Sequence, residues 1–317
     1  MDDTTPSLFH PGERAVHARL DIADRMTWAA RRMVRVEMPD YYDAFFAQLP
    51  WLFVGAVDTR GRPWASVLAG IPGFVRAPDA RTIRIAARPL PGDPLAEILA
   101  VGAPLGLLGL EFPTRRRNRA NGRITRIDDA GFNVRVDQNC GNCPKYIQSR
   151  DVVPAAARTP PATPRIESLS VLDDDARALV ARADTCFVAS HAPAGDDRPP
   201  GSDVSHRGGR AGFVRVEPSG ALRVPDFAGN HLFMTLGNLV IHPYAGVLFP
   251  DFETGDLLML TGRAEILWNP ADVAGFDGAE RGWRLHPEAG VRLRGAMPLA
   301  CTFRDWSPAT LETGHWP

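Results

Sequence analysis

The tetrapeptide Gly73-Phe74-Val75-Arg76 returns in the second half of the chain as Gly212-Phe213-Val214-Arg215, 139 residues later. Two further matches keep the same order and nearly the same spacing. Asn121-Gly122-Arg123 is matched by Thr261-Gly262-Arg263 after 140 residues, and Phe53-Val54-Gly55-Ala56 by Phe187-Val188-Ala189-Ser190 after 134 residues. One match of this kind would be noise, but three in order predict the duplication of a structural unit.

Each copy has the pattern of a small β-rich domain. Short apolar runs alternate with turns, and 29 Gly and 29 Pro residues favour many short elements. Three strands, a short helix and two strands per copy predict an antiparallel barrel with one capping helix. The predicted fold class is therefore mainly β (α+β), with two barrel units in tandem. The predicted boundaries are 1–50 for a helical N-terminal segment, 51–152 for the first unit, 153–172 for a linker and 173–317 for the second unit.

The composition excludes several classes of protein. Among 317 residues, 44% are hydrophobic and 23% are charged, as in globular proteins with a buried core. The 36 Lys and Arg residues nearly balance 37 Asp and Glu residues, so a surface made for nucleic acid is not expected. The N-terminus lacks a signal-peptide pattern, and the longest uncharged apolar run, Ile98 to Leu110, is too short to span a membrane. We expect a cytoplasmic protein without a membrane partner.

A polar cluster, Ser202 to Gly209, follows the first strand of the second copy. Within it, Ser205 supplies a hydroxyl group, His206 an imidazole and Arg207 a guanidinium group, and the glycine Gly208 follows them. These groups supply the charge-assisted and backbone donors that a phosphate dianion requires. A polar hairpin turn with solvated side chains explains the same residues, because turns favour these types.

A second polar cluster, Pro225 to His231, leads from the next strand into a helical pattern. Asn230 is a natural N-cap there, and the start of the helix would present N–H groups to an anion together with Gly229 and His231. The first copy has Asp93 and Pro94 at this place, which would repel a phosphate and remove a donor. If a phosphate site exists, we expect it on the second unit. A plain capped helix is the alternative.

The first copy ends in Cys140-Gly141-Asn142-Cys143-Pro144-Lys145-Tyr146, which contains the only lysine of the chain. A CxxC motif is typical of a redox dithiol or of half a zinc site, but no second ligand pair completes a zinc site, so no metal is predicted. A turn that positions Asn142, Lys145 and Tyr146 is the alternative interpretation of the motif. The basic run Arg115 to Arg119 is interpreted as a solvated loop, with an anion contact as the second interpretation.

The order of these motifs resembles the FMN-binding split-barrel superfamily that contains pyridoxamine 5'-phosphate oxidase. The resemblance covers Thr185 to Leu267 well and Trp51 to Arg150 more loosely, and a stretch like Asn142 to Ile147 occurs in flavin-binding relatives. It implies two split β-barrel units and an FMN phosphate held by one ordered set of residues: Ser205, His206, Arg207, Gly229, Asn230 and His231. Two features of that family are missing, the lysine that often holds the phosphate and a recognisable C-terminal substrate segment. Vitamin B6 is therefore not the expected substrate.

The sequence thus predicts an FMN-binding oxidoreductase that acts on a small molecule and forms a homodimer. His206 and Tyr146 are the candidate acid–base residues, and Asn142 and Lys145 join the candidate cofactor-binding residues. A carrier that holds flavin or haem without turnover is the alternative function.

Overall fold

The computed structural model describes residues 7–141, 143–154, 164–195 and 198–316. The N-terminal segment is helical as predicted, with α1 (Pro11–Arg19), α2 (Ala23–Met33) and α3 (Tyr41–Ala47) separated by a two-residue strand, β1 (Val34–Arg35). Helix α1 begins with a capping box. The His10 side chain accepts a hydrogen bond from Gly12 N–H at 3.1 Å, and Glu13 accepts one from His10 N–H at 2.9 Å.

The first unit is an antiparallel sheet of eight strands that includes β1. The other strands are β2 (Trp51–Val57), β3 (Pro63–Ala69), β4 (Val75–Asp79), β5 (Thr82–Ile85), β6 (Pro104–Glu111), β7 (Arg116–Asp128) and β8 (Gly131–Gly141). They pair in the order β3-β2-β6-β7-β8-β5-β4, with β1 beside β8. Helix α4 (Leu95–Ile98) lies between β5 and β6, where the sequence predicts a short helix.

The second unit repeats this sheet strand by strand. After β9 (Ser149–Pro154) the elements are β10 (Arg165–Leu169), α5 (Asp174–Arg182), β11 (Thr185–Ala192), β12 (Gly201–Gly208), β13 (Arg215–Val216), β14 (Leu222–Phe227), α6 (Met234–Ile241), β15 (Tyr244–Pro250), β16 (Leu257–Leu267) and β17 (Ala279–Arg294). The order is β12-β11-β15-β16-β17-β14-β13, with β10 beside β17. Even the β-bulge recurs, before Gly122 in β7 and before Gly262 in β16. The predicted tandem duplication of a split-barrel unit is confirmed.

The two units pack against each other around a pseudo-twofold axis. Phe53 and Phe187, which occupy equivalent positions, stack with ring centroids 3.5 Å apart. Close approach requires glycine at two equivalent places, since a Cβ on Gly106 would lie 2.6 Å from the Asp203 backbone and one on Gly246 would lie 2.4 Å from Pro63 O. Each unit therefore covers the open face of the other.

The segment between the units is only partly described. Residues 155–163 lie outside the described residues, but residues 165–169 of the predicted linker form β10, which pairs with β17. Strand β10 takes the place beside β17 that β1 takes beside β8 in the first unit. Strand β9 pairs with β18 (Leu299–Asp305), and a last helix, α7 (Pro308–Leu311), follows. The predicted domain boundaries remain a prediction.

In the described part of the chain, no helix is long and apolar enough to cross a membrane.

Candidate functional site: a cationic cleft between the units

A cleft lies where β7 of the first unit faces β12 of the second. Alternate residues of each strand point to one side of a sheet, and here Arg117 and Arg119 of β7 face Ser205 and Arg207 of β12. The start of α6, at Met234 and Thr235, closes one side. We call this space, with these lining residues, the cationic cleft.

Arg119 is the central side chain of the cleft and is buried. Its Nη2 donates a hydrogen bond to Ser205 Oγ at 2.6 Å, and its Nε lies 3.1 Å from Asp203 Oδ1 without the geometry of a hydrogen bond. Thr235 Oγ1 also donates to Ser205 Oγ, at 3.2 Å. Two hydroxyls and a guanidinium thus meet at one point, and donors of this type bind phosphate oxygens.

Arg207 is held at the cleft by a carboxylate that it shares with a second arginine. Asp226 accepts hydrogen bonds from Arg207 Nη1 at 2.7 Å and from Arg281 Nη1 at 3.0 Å. Arg281 also pairs with Glu280 at 2.7 Å, so two carboxylates compensate these two guanidinium groups. The Nε of Arg207 is buried and has no hydrogen-bond partner among the described residues.

Arg117 has no ion pair and no side-chain hydrogen bond within the described parts of the chain, and its Nε is buried. Burial, together with repulsion from Arg119 and Arg207, lowers the pKa of its guanidinium to about 9. A buried and uncompensated cation is costly in a ligand-free protein. The four cations that line the cleft, Arg117, Arg119, Lys145 and Arg207, face two carboxylates, Asp226 in the lining and Asp203 beside Arg119. The described part of the cleft therefore carries an excess of positive charge.

The loop before α6 differs from the prediction. Asn230 does not cap the helix: its Oδ1 accepts a hydrogen bond from Leu232 N–H at 3.1 Å, and α6 begins four residues later, at Met234. The reason is that His231 and Phe233 both have left-handed backbone conformations, with φ of 58° and 54°, which break a continuous helix. Gly229, Asn230 and His231 nevertheless border the cleft.

The stretch after the first cysteine also reaches the cleft. Lys145 and Tyr146 line it, whereas Asn142 lies outside the described residues. The Tyr146 ring stacks on Phe227 at 4.9 Å, and its hydroxyl donates to Ala228 O at 3.2 Å. Burial raises the pKa of this phenol, so Tyr146 retains its proton at neutral pH.

His206 borders the cleft, but its ring belongs to the other face of β12. It packs edge-on against Phe187 and Phe112, with centroids 5.6 and 6.5 Å away. Burial and the nearby arginines hold the pKa of His206 well below its usual value, so the ring is neutral. Both ring nitrogens are buried without a hydrogen-bond partner in the described part of the protein. This geometry does not support the expected role of His206 as an acid–base residue in the cleft.

The structure brings eight of the nine sequence-predicted site residues to one cleft, all except Asn142. The first interpretation of Arg115 to Arg119, a solvated loop, is wrong, whereas the second, an anion contact, stays a prediction. Residues from Arg116 onward form β7, and Arg115 itself bonds to Ile147 O at 2.9 Å. The available signal was the alternation of Arg117, Arg119 and Asn121, which places three polar side chains on one face of a strand.

The equivalent place in the first unit is not cationic. Apolar Leu257 and Met259 of β16 replace Arg117 and Arg119, and both are buried in the hydrophobic core. Ser66, the equivalent of Ser205, donates a hydrogen bond to buried Asp93. Burial raises the pKa of Asp93 to about 6. The sequence predicted this asymmetry between the units, although the role of the cleft in phosphate binding remains a prediction.

No disulfide joins the four cysteines in the described part of the chain; Cys140 and Cys186 are buried, and Cys143 and Cys301 are partly buried. Across the described residues, His, Cys, Asp and Glu side chains form no cluster of three or more that could hold a metal ion.

No protein-family model matches this chain, and no curated protein matches it. Among solved structures, HupZ of Group A Streptococcus aligns with a TM-score of 0.30 and 12% identity, over 43% of this chain and 98% of HupZ. HutZ of Vibrio cholerae, described as a heme storage protein, aligns with a TM-score of 0.26 and 14% identity, over 40% of this chain and 97% of HutZ. MrkH of K. pneumonia, solved with c-di-GMP, aligns with a TM-score of 0.18 and 8% identity, over 78% of this chain and 82% of MrkH. Likeness at this level carries no argument about the function of this chain.

Proposed function

We propose that this protein binds FMN and holds its phosphate in the cationic cleft. The observation that carries the proposal is Arg117, whose Nε is buried and whose side chain has no anionic partner among the described residues, beside two further arginines. A phosphate dianion would compensate this charge and accept hydrogen bonds from several donors at once. The choice of FMN among phosphate esters rests on the sequence resemblance to FMN-binding split barrels.

Several residues of the cleft would contribute contacts to the phosphate. Arg117 and Arg207 would pair with the phosphate oxygens through their unpartnered Nε–H groups. The Ser205 hydroxyl donates to Asp203 and the Thr235 hydroxyl to Ser205, so each would have to rotate in order to donate to the phosphate. The free volume inside the cleft is about 100 Å³, below the 300–1,000 Å³ that is typical of sites enclosing a whole drug-sized ligand. We therefore expect the cleft to enclose the phosphate end and to leave the remainder of the molecule outside it.

The geometry supports binding better than turnover. A bound flavin supplies electron transfer, and the protein orients it. However, neither candidate acid–base residue is placed for proton transfer in the cleft, since the His206 ring faces the aromatic core and the Tyr146 hydroxyl is bonded to Ala228 O. We propose a flavin-binding protein in which His206 and Tyr146 have no catalytic role; the oxidoreductase activity expected from the sequence then depends on the flavin alone.

A spectrum of the purified protein, followed by mass identification of the molecule that heat releases, tests the proposal directly. A flavin spectrum with FMN released supports it, whereas a Soret band from haem favours the alternative carrier function. Oxidation of NADPH in air by the purified protein would show turnover, and its absence would indicate a carrier.

Arg207→Ala tests the phosphate contact. Loss of a charge-assisted hydrogen bond, worth about 1.5–3 kcal/mol, should lower the affinity for FMN roughly ten- to hundredfold. The affinity for riboflavin, which has no phosphate, should not change. The matched control is Arg88→Ala, an exposed arginine of the first unit that bonds to the Asp129 carbonyl. Fluorescence titration of both flavins gives the result, and equal losses for FMN and riboflavin would place Arg207 in the fold rather than at the phosphate.

A further inference from the structure

A second cavity of about 320 Å³ lies at the other end of the groove between β7 and β12. His10 and Glu13 of the α1 region line one wall, and Asn121, Arg198 and Asp203 line the others. Met234 borders both this cavity and the cationic cleft, so the two spaces are neighbours. We call this space the second cavity.

The two spaces belong to one groove that is divided by side chains. Along β7 the residues on the groove side run from Arg117 through Arg119 to Asn121, and along β12 they run from Arg207 through Ser205 to Asp203. Arg119 crosses the groove in the middle, where it contacts Ser205 and Asp203. A molecule in the second cavity would therefore lie directly beyond the anion held by the cleft.

Three buried polar atoms of the second cavity have no hydrogen-bond partner in the described parts of the chain: His10 Nε2, Asn121 Oδ1 and Arg198 Nε. His10 is 6% exposed. Its Nδ1 accepts a hydrogen bond from Gly12 N–H, so the proton of the neutral ring is on Nε2, which is a donor. Buried polar atoms are almost always bonded in native proteins. Two donors and one acceptor without partners thus indicate a polar ligand.

The charges of the second cavity indicate the sign of that ligand. Asp203 is compensated by Arg119 at 3.1 Å, and Asp137 by Arg123 at 3.3 Å. Burial raises the pKa of Glu13 to about 8, which leaves this carboxyl uncharged at neutral pH. Arg35 and Arg198, which also line the cavity, form no ion pair with any described residue, so the described lining carries more positive than negative charge at neutral pH.

We propose that the second cavity binds a small molecule with a carboxylate, which pairs with Arg198, and with an apolar body. A planar guanidinium matches a carboxylate with two parallel hydrogen bonds. The apolar side chains Val34 and Met234 and the prolines Pro199 and Pro200 provide the wall for the body. A volume of 320 Å³ lies at the lower end of the range for small-molecule sites. This inference goes beyond the proposed function. Only the statement that the ligand lies beside FMN rests on the proposed function.

Titration of the full-length protein with benzoate, followed by calorimetry or ligand-detected NMR, tests the proposal. Benzoate should bind saturably, and uncharged benzamide should bind at least tenfold more weakly. Arg198→Gln should lower the affinity for benzoate at least tenfold, and Arg198→Lys should retain part of that affinity. Arg88→Gln, the exposed control, should bind benzoate as the wild type does.

Because benzoate is an anion, the cationic cleft is the competing site. Saturating inorganic phosphate should leave benzoate binding unchanged, and so should Arg207→Gln. The proposal is overturned if benzoate does not bind saturably, if Arg198→Gln binds it normally, if Arg207→Gln causes the loss instead, or if FMN displaces it. Failure to bind FMN together with the expected benzoate results would overturn the proposed function and leave this inference intact.

Discussion

Replacement of Arg117 by methionine should make the ligand-free protein more stable and the FMN complex weaker. Arg117 lies on β7 with a buried Nε, no anionic partner among the described residues, and the guanidinium groups of Arg119 and Arg207 nearby. Methionine has a similar length and is flexible enough to fill the space. Arg117→Met therefore removes an uncompensated charge without leaving a large cavity.

The size of the effect follows from the pKa of Arg117. A decrease of the Arg117 pKa from the usual arginine value to about 9 corresponds to a penalty of up to roughly 5 kcal/mol for the charged form. The side chain is partly exposed, so water screens part of this penalty. Replacement of buried charged groups by hydrophobic ones stabilises other proteins by about 1–4 kcal/mol, and we expect a gain in that range at pH 7.

The same argument predicts how the gain changes with pH. Between the folded pKa of about 9 and the higher pKa of an arginine in the unfolded chain, the unfolded chain binds more protons at this position, so the stability of the wild type rises with pH there. The advantage of Arg117→Met should therefore decrease as the pH rises above about 9. FMN affinity should fall roughly ten- to hundredfold, because a charge-assisted contact is lost.

Urea denaturation at several pH values, without ligand and with FMN, measures both effects. The matched control is Arg116→Met, since the neighbouring Arg116 is exposed and lies over the Phe45 ring at 5.3 Å. That control should change stability by no more than about 1 kcal/mol and leave FMN affinity intact. A ligand-free Arg117→Met protein that is less stable than the wild type, with unchanged FMN affinity, would refute the argument.

Three further predictions concern other parts of the molecule. Glu13→Gln should become progressively more stable than the wild type as pH rises from about 5 to 8, because the folded pKa of about 8 makes the stability of the wild type fall over that range. Urea denaturation at each pH measures the difference in stability between the two proteins, and a difference that does not change with pH would contradict this. Gly12→Ala should destabilise the protein by about 1–3 kcal/mol in thermal unfolding, because its Cβ would lie 2.0 Å from Gly237 O in α6; a neutral effect would show that α1 can move away freely. Burial raises the pKa of the Cys140 thiol, and it raises the pKa of the Cys186 thiol to about 12. Iodoacetamide at pH 8 should therefore modify the partly buried Cys143 well before Cys140 or Cys186. Mass spectrometry that finds Cys140 modified first would contradict this.

The duplication explains how one chain can form an asymmetric site from two similar units. The first unit contributes Arg117 and Arg119 through β7, and the second contributes Ser205 and Arg207 through β12. At the equivalent junction the strands carry Leu257 and Met259 instead, and the space is filled by core. A duplicated chain can change one of its two junctions independently, which two identical subunits cannot do.

The amino-acid sequence alone determined the architecture of this protein. The repeat of Gly73 to Arg76 at Gly212 to Arg215 predicted two copies of one sheet, and the apolar run Trp51 to Val57 marked one strand with its observed bounds. Around its capping helix, each copy has four strands before the helix and three after it, where three and two were predicted. These features are readable because strand periodicity and turn composition are local properties. The polar clusters around Ser205 and Asn230 were found for the same reason.

Only the tertiary structure decided which side chains meet. Arg117 and Ser205 are far apart in sequence, and their apposition depends on how the two units pack around Phe53 and Phe187. The structure also turned the His206 ring toward the aromatic core and moved the start of α6 from Asn230 to Met234. Residue types alone reveal neither the packing between the units nor the left-handed backbone at His231. They also do not give the free energy of a buried charge such as that of Arg117, because it depends on every group around the charge.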